Sequence, residues 1–132
     1  MNTEQTAVRL AVRADEFAPG ISRERLIRLL AHEAAEQFFP GKGAELAGAA
    51  LAREAEEPTY LGRGLAVPHA RLAGLSVAAV YVAHGSGVCW PDEAVDCVVL
   101  LCVPEEQPEL HLQLLGRIVR WRMKGGELTL SC

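Results

Sequence analysis

The sequence predicts an α/β protein in which a single mixed β-sheet is flanked by helices. Helical and strand patterns alternate along the chain, and residues 77–83 and 97–103 form near-continuous apolar runs. Such runs are typical of central strands that are covered on both faces. The length of 132 residues is sufficient for one hydrophobic core and too short for two. We therefore expect residues 1–132 to form one domain.

The first half of the chain predicts one strand and two helices. Residues 8–12 alternate apolar and basic side chains, which is the pattern of a strand with one wet face. Ser22 is placed to cap the helix that follows. Its apolar stripe recurs at four-residue steps, and Pro40 ends it; the stripe consists of Leu26, Leu30, Ala34 and Phe38. An alanine-rich second helix is expected over residues 44–56.

The segment 58–71 is different in composition. It places two glycines and two prolines around a very short apolar strand at residues 65–67. Pro68 cannot donate to a strand ladder, so we expect the strand to end there and His69 to follow on a stiffened turn. A histidine presented directly after a buried strand is a common arrangement for function.

The second half predicts two strands and a helix. Residues 77–83 and 97–103 are the strands, and the glycine-rich residues 84–93 are interpreted as a loop or hairpin connection. After Pro104, acidic residues begin a helix and basic residues crowd its end, an order that complements the helix dipole. Glycines 125 and 126 end that helix. The tail 127–132 is a candidate strand.

Composition excludes several classes of protein. A net charge of −4 provides no basic face for nucleic acid, and no apolar run approaches the length of a membrane span. The polar N-terminus lacks the layout of a signal peptide, so a cytoplasmic location is expected. Cys97 and Cys102 lie in an apolar run and are interpreted as core thiols, since the cysteine spacings match no zinc motif. We expect no metal and no cofactor.

Four histidines are candidates for chemistry. His32 lies among charged helical residues and is interpreted as a surface residue. His84 lies at a strand end and is interpreted as incidental rather than catalytic. His69 either is satisfied by a local carbonyl or has a function. His111 lies beside a predicted buried stripe of Leu110, Leu114 and Ile118. That edge position suits either a half-buried structural histidine or one that reaches a cleft.

An ordered set of segments resembles one protein family. Residues 59–70 read TYLGRGLAVPHA, which resembles the signature of type-2 EIIA domains of the bacterial phosphotransferase system, including their fructose, mannitol and nitrogen-regulatory branches. The similarity continues through the glycine-rich residues 85–90, the strand end at 99–105 and the helix start at 109–115. These segments cover most of the chain between residues 53 and 120.

The resemblance implies a site and a fold of the EIIA type-2 kind. It implies that His69 accepts phosphate from the phosphocarrier HPr, that His111 lies beside it, and that Arg53 holds the phosphoryl oxygens. The chemistry is suitable, because neutral imidazole is a nucleophile near pH 7 and arginine can donate two parallel hydrogen bonds to phosphate. Arg63 departs from the family pattern; it is a phosphate donor, a partner contact or an exposed turn residue.

Three functions remain in view. The first is a phosphohistidine carrier, a phosphotransferase component that passes phosphate to an EIIB domain or acts in sugar transport or nitrogen regulation. The second is a regulatory module that docks to a transporter or kinase, with phosphorylation as a switch or absent. The third, a hydrolase or metal enzyme, is disfavoured because two histidines leave a zinc site short of ligands. Family members usually continue beyond residue 126, so we expect the tail either to pack as an edge strand or to mediate a homodimer.

Overall fold

The computed structural model describes residues 6–126 and residue 128, and over this part of the chain it forms a six-stranded sheet with three helices. The predicted α/β class with a mixed sheet is confirmed. The elements in chain order are β1 (Val8–Val12), α1 (Arg23–Phe38), α2 (Gly43–Glu56), β2 (Tyr60–Gly62), β3 (Leu65–Ala66), β4 (His69–Leu72), β5 (Ala78–Cys89), β6 (Ala94–Pro104) and α3 (Pro108–Lys124).

The sheet is organised around an antiparallel hairpin of β5 and β6, with the order β1-β5-β6-β3-β2. β1 runs parallel to β5, whereas β3 and then β4 run parallel to β6. Pro68 separates β3 from β4, and its carbonyl accepts a hydrogen bond from the Leu101 amide at 2.9 Å. The proline therefore interrupts the strand without interrupting its alignment along β6.

Both faces of the sheet are covered, as the apolar strands predict. Alternate side chains of β6 point to opposite faces. Val98, Leu100 and Cys102 pack in the cluster that includes α1 and α2. The residues between them, such as Val99, pack in a smaller cluster with Leu114 of α3. Helix α3 therefore covers the face of the sheet to which the odd-numbered residues of β6 point.

The two N-terminal helices lie where their patterns predict. The Ser22 side chain accepts a hydrogen bond from the Arg25 amide at 3.2 Å, as expected of an N-cap. The four residues of the predicted stripe in α1 are all at least partly buried, namely Leu26, Leu30, Ala34 and Phe38. α2 begins at Gly43 and packs its own small residues on the same face of the sheet.

Three features of the strands differ from the expectation. β5 continues through most of the segment 84–93, and only residues 90–93 form the turn, because Val88 pairs with Val95 after a register irregularity. β2 and β4 were not expected as strands. His69 is the first residue of β4 rather than part of a turn, because pairing with Leu101 of β6 extends the backbone there.

The cysteines and the tail complete the outline. Cys97 and Cys102 are buried free thiols, and burial raises their pKa values to about 11 and about 12. They are core thiols, as predicted.

The candidate strand 127–132 lies outside the described residues except for Leu128, which packs against the smaller cluster that contains Leu114 of α3. Within the described ranges, no helix has both the length and the apolar character that crossing a bilayer requires.

Candidate functional site

The structure brings His69 and His111 together. His69 begins β4, opposite Leu101, and therefore points to the face of the sheet that α3 covers. The ring centroids of the two histidines are 4.4 Å apart and their planes meet at 69°, an edge-to-face arrangement. His69 is 6% exposed, whereas His111 is half-buried. The pair thus lies at the rim of the smaller core.

The last helix positions His111. Pro108 occupies its first turn, where the missing amide proton costs nothing. Leu114 and Ile118 are buried against the sheet, so the predicted stripe is confirmed. Residues three apart share a helical face, which places His111 one turn before Leu114, directed at the sheet edge that carries His69.

Burial keeps the site histidines in their neutral form. It lowers the pKa of His69 from 6.5 to about 4, and the nearby charges of His111 and Arg53 act in the same direction. The pKa of His111 is also lowered, first by burial and then by the charges of Arg71 and Arg53. Near neutral pH each ring therefore carries one lone pair and one N–H group.

The histidine pair also has unused hydrogen-bonding capacity. Among the described residues, three buried side-chain polar atoms have no hydrogen-bond partner, and two of them are His69 Nδ1 and His111 Nε2. The backbone of Pro68 and Val67 raises the pKa of His69 and so offsets part of the effect of burial. Neither residue makes a hydrogen bond to Nδ1. Buried polar atoms normally have partners, so this pair is suited to a ligand with polar atoms.

Arg53 has a structural contact and an electrostatic effect on the site. It lies in the last turn of α2, where its Nη1 donates to the Glu57 carbonyl at 2.8 Å. That contact caps the helix end. Its positive charge nevertheless lowers the pKa values of both His69 and His111. Arg53 therefore acts electrostatically on both histidines.

Arg71 is a site residue that the sequence reasoning missed. It stands two positions after His69 on β4, so the two side chains share a face of the strand. Arg71 is exposed and its charge lowers the pKa of His111. Its spacing of two residues from His69 could have indicated a shared face, but only in a strand, and residues 69–72 were not predicted to form one.

Arg63 is not brought to the histidines. It lies in the turn between β2 and β3 with a left-handed φ of 54°, and its carbonyl accepts hydrogen bonds from Arg122 Nη2 at 2.8 Å and Nε at 3.2 Å. The neighbouring Leu65 pairs with Cys97, whereas His69 pairs with Leu101. The intervening stretch of β6 measures about 13 Å at roughly 3.3 Å per residue.

A buried carboxylate holds the beginning of the segment that leads to His69. Glu54 of α2 is 5% exposed and accepts from the Thr59 amide at 2.8 Å, from Thr59 Oγ1 at 2.6 Å and from Trp90 Nε1 at 2.7 Å. The Val67 amide then donates to the Thr59 carbonyl at 3.0 Å. Sequence reasoning missed this network, because its members come from separate elements.

The remaining histidines and possible metal ligands lie elsewhere. His32 is exposed, as predicted for a surface residue, and His84 is exposed as well. Within residues 6–126 and 128, no group of three or more histidine, cysteine or acidic side chains is arranged to hold a metal ion. The two site histidines are accompanied by arginines, and positive side chains are suited to an anionic ligand.

Solved structures show the same fold. A crystal structure of the nitrogen regulatory protein IIA-Ntr from Neisseria meningitidis is 26% identical, with a TM-score of 0.65, over 95% of this chain and 86% of that chain. The crystal structure of IIA mannitol from Escherichia coli is 22% identical, with a TM-score of 0.65, over 83% and 77%. The complex of the Escherichia coli mannitol enzyme IIA with phosphorylated enzyme IIB is 20% identical, with a TM-score of 0.64, over 86% and 81%.

The family assignment comes from the sequence as a whole. Among curated proteins, none is significantly similar to this chain. The family model for EIIA 2 of the phosphoenolpyruvate-dependent sugar phosphotransferase system, however, matches residues 18–128. This range includes His69, His111 and both arginines beside them. The resemblance in the signature segment is thereby confirmed, and the chain belongs to the EIIA type-2 family of the phosphoenolpyruvate-dependent sugar phosphotransferase system.

Proposed function

We propose that this protein is a phosphocarrier that accepts a phosphoryl group from an HPr-type donor on His69. The observation that carries the proposal is the histidine pair: two imidazoles 4.4 Å apart, with unpartnered buried nitrogens and with His69 held neutral by a pKa of about 4. A neutral imidazole has the free lone pair that a nucleophile requires. Family membership supports a phosphotransfer role for the chain.

The transfer exchanges one nitrogen–phosphorus bond for another. The lone pair of the His69 ring attacks the phosphorus of the donor's phosphohistidine, and the bond to the donor nitrogen breaks. The bonding electrons return to the donor ring, which leaves as a neutral imidazole. Each ring keeps the proton on its other nitrogen, so no general acid or base is needed. Catalysis therefore consists of positioning and charge stabilisation.

His111 and Arg53 supply that stabilisation in this proposal. The unpartnered Nε2 of His111 can donate a hydrogen bond to a phosphoryl oxygen when it carries the ring proton. Arg53 offers a fixed fork of donors, of which Nη1 already binds the Glu57 carbonyl. Donors that are in place before the reaction are the most effective kind of stabilisation for developing charge.

Two onward routes follow from the relatives. The mannitol enzyme IIA of Escherichia coli forms a complex with phosphorylated enzyme IIB, and an EIIB domain is the acceptor we propose for the sugar branch. The nitrogen regulatory protein IIA-Ntr shares 26% identity over 95% of this chain, and this similarity favours a second candidate, a regulatory module whose docking depends on the state of His69. The homodimer expected from the sequence stays a prediction.

The test is phosphorylation by a reconstituted donor system. The parent protein is incubated with phosphoenolpyruvate, enzyme I and HPr, and the product is analysed for an acid-labile, base-stable phosphoryl group and for the modified peptide. We expect one phosphoryl group on the peptide that contains His69, and none in His69→Ala. His84→Ala is the matched control, because His84 is an exposed histidine of β5 to which the proposal gives no role, and this variant should be labelled like the parent.

The outcomes separate the two candidate functions. Label on His69 that passes to a purified EIIB domain supports the carrier. Label that stays on His69, and that changes binding to a transporter or kinase, supports the regulatory module. Equal uptake of phosphate by His69→Ala and by the parent would show that the assignment of His69 is wrong.

A further inference from the structure

We propose that Glu54 is a positioning residue for phosphoryl transfer, which holds both the segment ending in His69 and the helix end carrying Arg53 in the geometry that transfer needs. This inference rests on the proposed function of His69. Glu54 touches neither histidine; it acts through backbone and side-chain hydrogen bonds.

The carboxylate of Glu54 is used on both oxygens. Oε2 accepts from the Thr59 amide and from Trp90 Nε1, and Oε1 accepts from Thr59 Oγ1, at distances between 2.6 and 2.8 Å. Arg23 Nη1 lies 3.9 Å from Oε2, and the Arg23 guanidinium stands 5.9 Å from the centre of the Trp90 ring. Hydrogen bonds to a charged acceptor in a buried setting are short and strong, so this network is rigid.

A short path leads from this network to His69. The Thr59 carbonyl accepts from the Val67 amide at 3.0 Å, which closes residues 59–67 into a loop at its base. Glu54 holds that base through the other polar groups of Thr59. Val67 is followed by Pro68, whose ring restricts the backbone, and then by His69. The position of the imidazole is therefore coupled to Glu54 through the hydrogen bonds to Thr59, one backbone hydrogen bond from Val67 and two peptide units.

The path to Arg53 is equally short. Arg53 and Glu54 are neighbours in the last turn of α2, and Arg53 donates to the carbonyl of Glu57. Glu57 lies between Glu54 and Thr59, inside the turn that the carboxylate closes. A displacement of this turn would move the guanidinium and the imidazole together. A single buried carboxylate thus sets the relative position of two groups that the proposed reaction needs.

A second carboxylate provides the contrast. Glu33 of α1 accepts from Arg13 Nε at 2.8 Å, from Arg13 Nη2 at 3.1 Å and from Tyr81 hydroxyl at 2.7 Å. It joins α1 to β5 and to the chain after β1. None of these contacts involves residues 53–71. Loss of Glu33 should therefore lower stability without displacing His69 or Arg53, which makes it a matched control.

The experiment compares Glu54→Ala and Glu54→Gln with Glu33→Ala and Glu33→Gln. Transfer from phosphorylated HPr is measured as kcat and KM, and the His69 imidazole is titrated by NMR in the unphosphorylated protein. We expect Glu54→Ala to lower kcat by about 10- to 100-fold with little change in KM, because small misplacements of reacting groups have effects of this size. Glu54→Gln keeps one acceptor oxygen and should recover part of the rate. Both Glu33 variants should keep kcat within about twofold of the parent, since no contact of Glu33 reaches the segment.

The NMR titration separates this inference from the proposed function. If Glu54 holds His69 in place, its loss should hydrate the ring and raise the pKa of His69 from about 4 towards 6.5, even if the parent protein accepts no phosphate. Failure of the parent to be labelled would overturn the phosphocarrier role and leave this readout intact. An unchanged kcat together with an unchanged His69 titration in folded Glu54→Ala would overturn the positioning role.

Two milder variants cover the case in which Glu54→Ala does not fold. Thr59→Val removes the hydroxyl donor at nearly unchanged volume, and Trp90→Phe removes the indole donor with some loss of buried volume. Each should shift the His69 titration and kcat in the same direction as Glu54→Gln. Parental values for both properties in both variants would contradict the proposal.

Discussion

Three polar or charged side chains are buried in the described part of the chain, and they behave in two different ways. Glu54 and Thr59 bind each other, and Glu54 also binds Trp90. His69 is buried to the same extent, yet its Nδ1 has no hydrogen-bond partner among the described residues. Both carboxylate oxygens of Glu54 are thus hydrogen-bonded in a network that stabilises a turn, although Arg23 Nη1, 3.9 Å from Oε2, makes no hydrogen bond. The histidine is an incomplete network, because a buried ring nitrogen has no partner.

The energetics explain why this difference matters. A buried polar atom without a partner costs about 1–3 kcal/mol, whereas a paired one contributes about 1 kcal/mol or is neutral. A protein keeps such a cost where the group has to meet something else, and strained or unsatisfied groups tend to mark functional sites. The comparison therefore favours the histidine pair, rather than the carboxylate network, as the place of the proposed chemistry.

The largest expected effect of the buried, unpartnered His69 is on the pH dependence of the free energy of unfolding. The pKa of His69 is about 4 in the folded protein and 6.5 as its ordinary value. As the pH falls, His69 therefore binds a proton in the unfolded chain at a higher pH than in the folded protein. Stability from this group is fully present above pH 6.5 and is lost as the pH falls to 4, by about 3 kcal/mol in the free energy of unfolding.

Urea unfolding of the parent and of His69→Gln at several pH values measures this effect. Carboxyl groups titrate in both proteins, so the difference between the two curves isolates His69. We expect the parent to lose stability relative to the variant between pH 6.5 and 4, and the difference to become constant below pH 4. Parallel curves over this range would show that His69 is not held neutral by burial.

Removal of His111 tests whether the second imidazole is a donor. We expect His111→Ala to slow phosphoryl transfer by about 100-fold, which is the typical cost of losing one donor to a developing charge. The phosphoryl group should still be found on His69. Rapid-quench kinetics and peptide mapping measure both properties, with His84→Ala as the control. Transfer at the parental rate would contradict the role of His111.

Replacement of Arg53 by lysine separates charge from geometry. Lysine keeps the positive charge that lowers the pKa of His69, but it lacks the planar fork. We expect Arg53→Lys to slow transfer by about 10-fold, in line with the loss of one charge-assisted hydrogen bond. Arg28→Lys, at an exposed position on α1, is the control. Equal rates for the parent and Arg53→Lys would exclude a bidentate contact.

Arg71 gives the smallest expected effect. Its charge lowers the pKa of His111 but is not among the causes that act on His69. Arg71→Ala should therefore raise the pKa of His111 in an NMR titration and leave that of His69 unchanged. Transfer should change by less than about fivefold, because exposed charges contribute about 1 kcal/mol or less. A shift of both histidines would mean that the Arg71 charge also acts on His69 directly.

Local patterns predicted much of the fold and the centre of the site. β1 occupies the predicted residues, and α1 and α2 begin within a residue or two of their expected positions, because caps and periodicity act over a few neighbours. His69 and His111 were identified from the signature segment and the helix stripe. Their closeness was implied by the family resemblance and is now seen as a centroid distance of 4.4 Å.

Periodicity and an ordered set of motifs are visible in the sequence, and they were enough to predict the fold class, the family and the histidine pair. The strand at residues 69–72 depends on pairing with β6, and this pairing places Arg71 near His69 and Arg63 away from it. Tertiary structure also decided which donors reach Glu54. These features depend on register with β6 and on contacts between residues far apart in the chain, which no local pattern encodes.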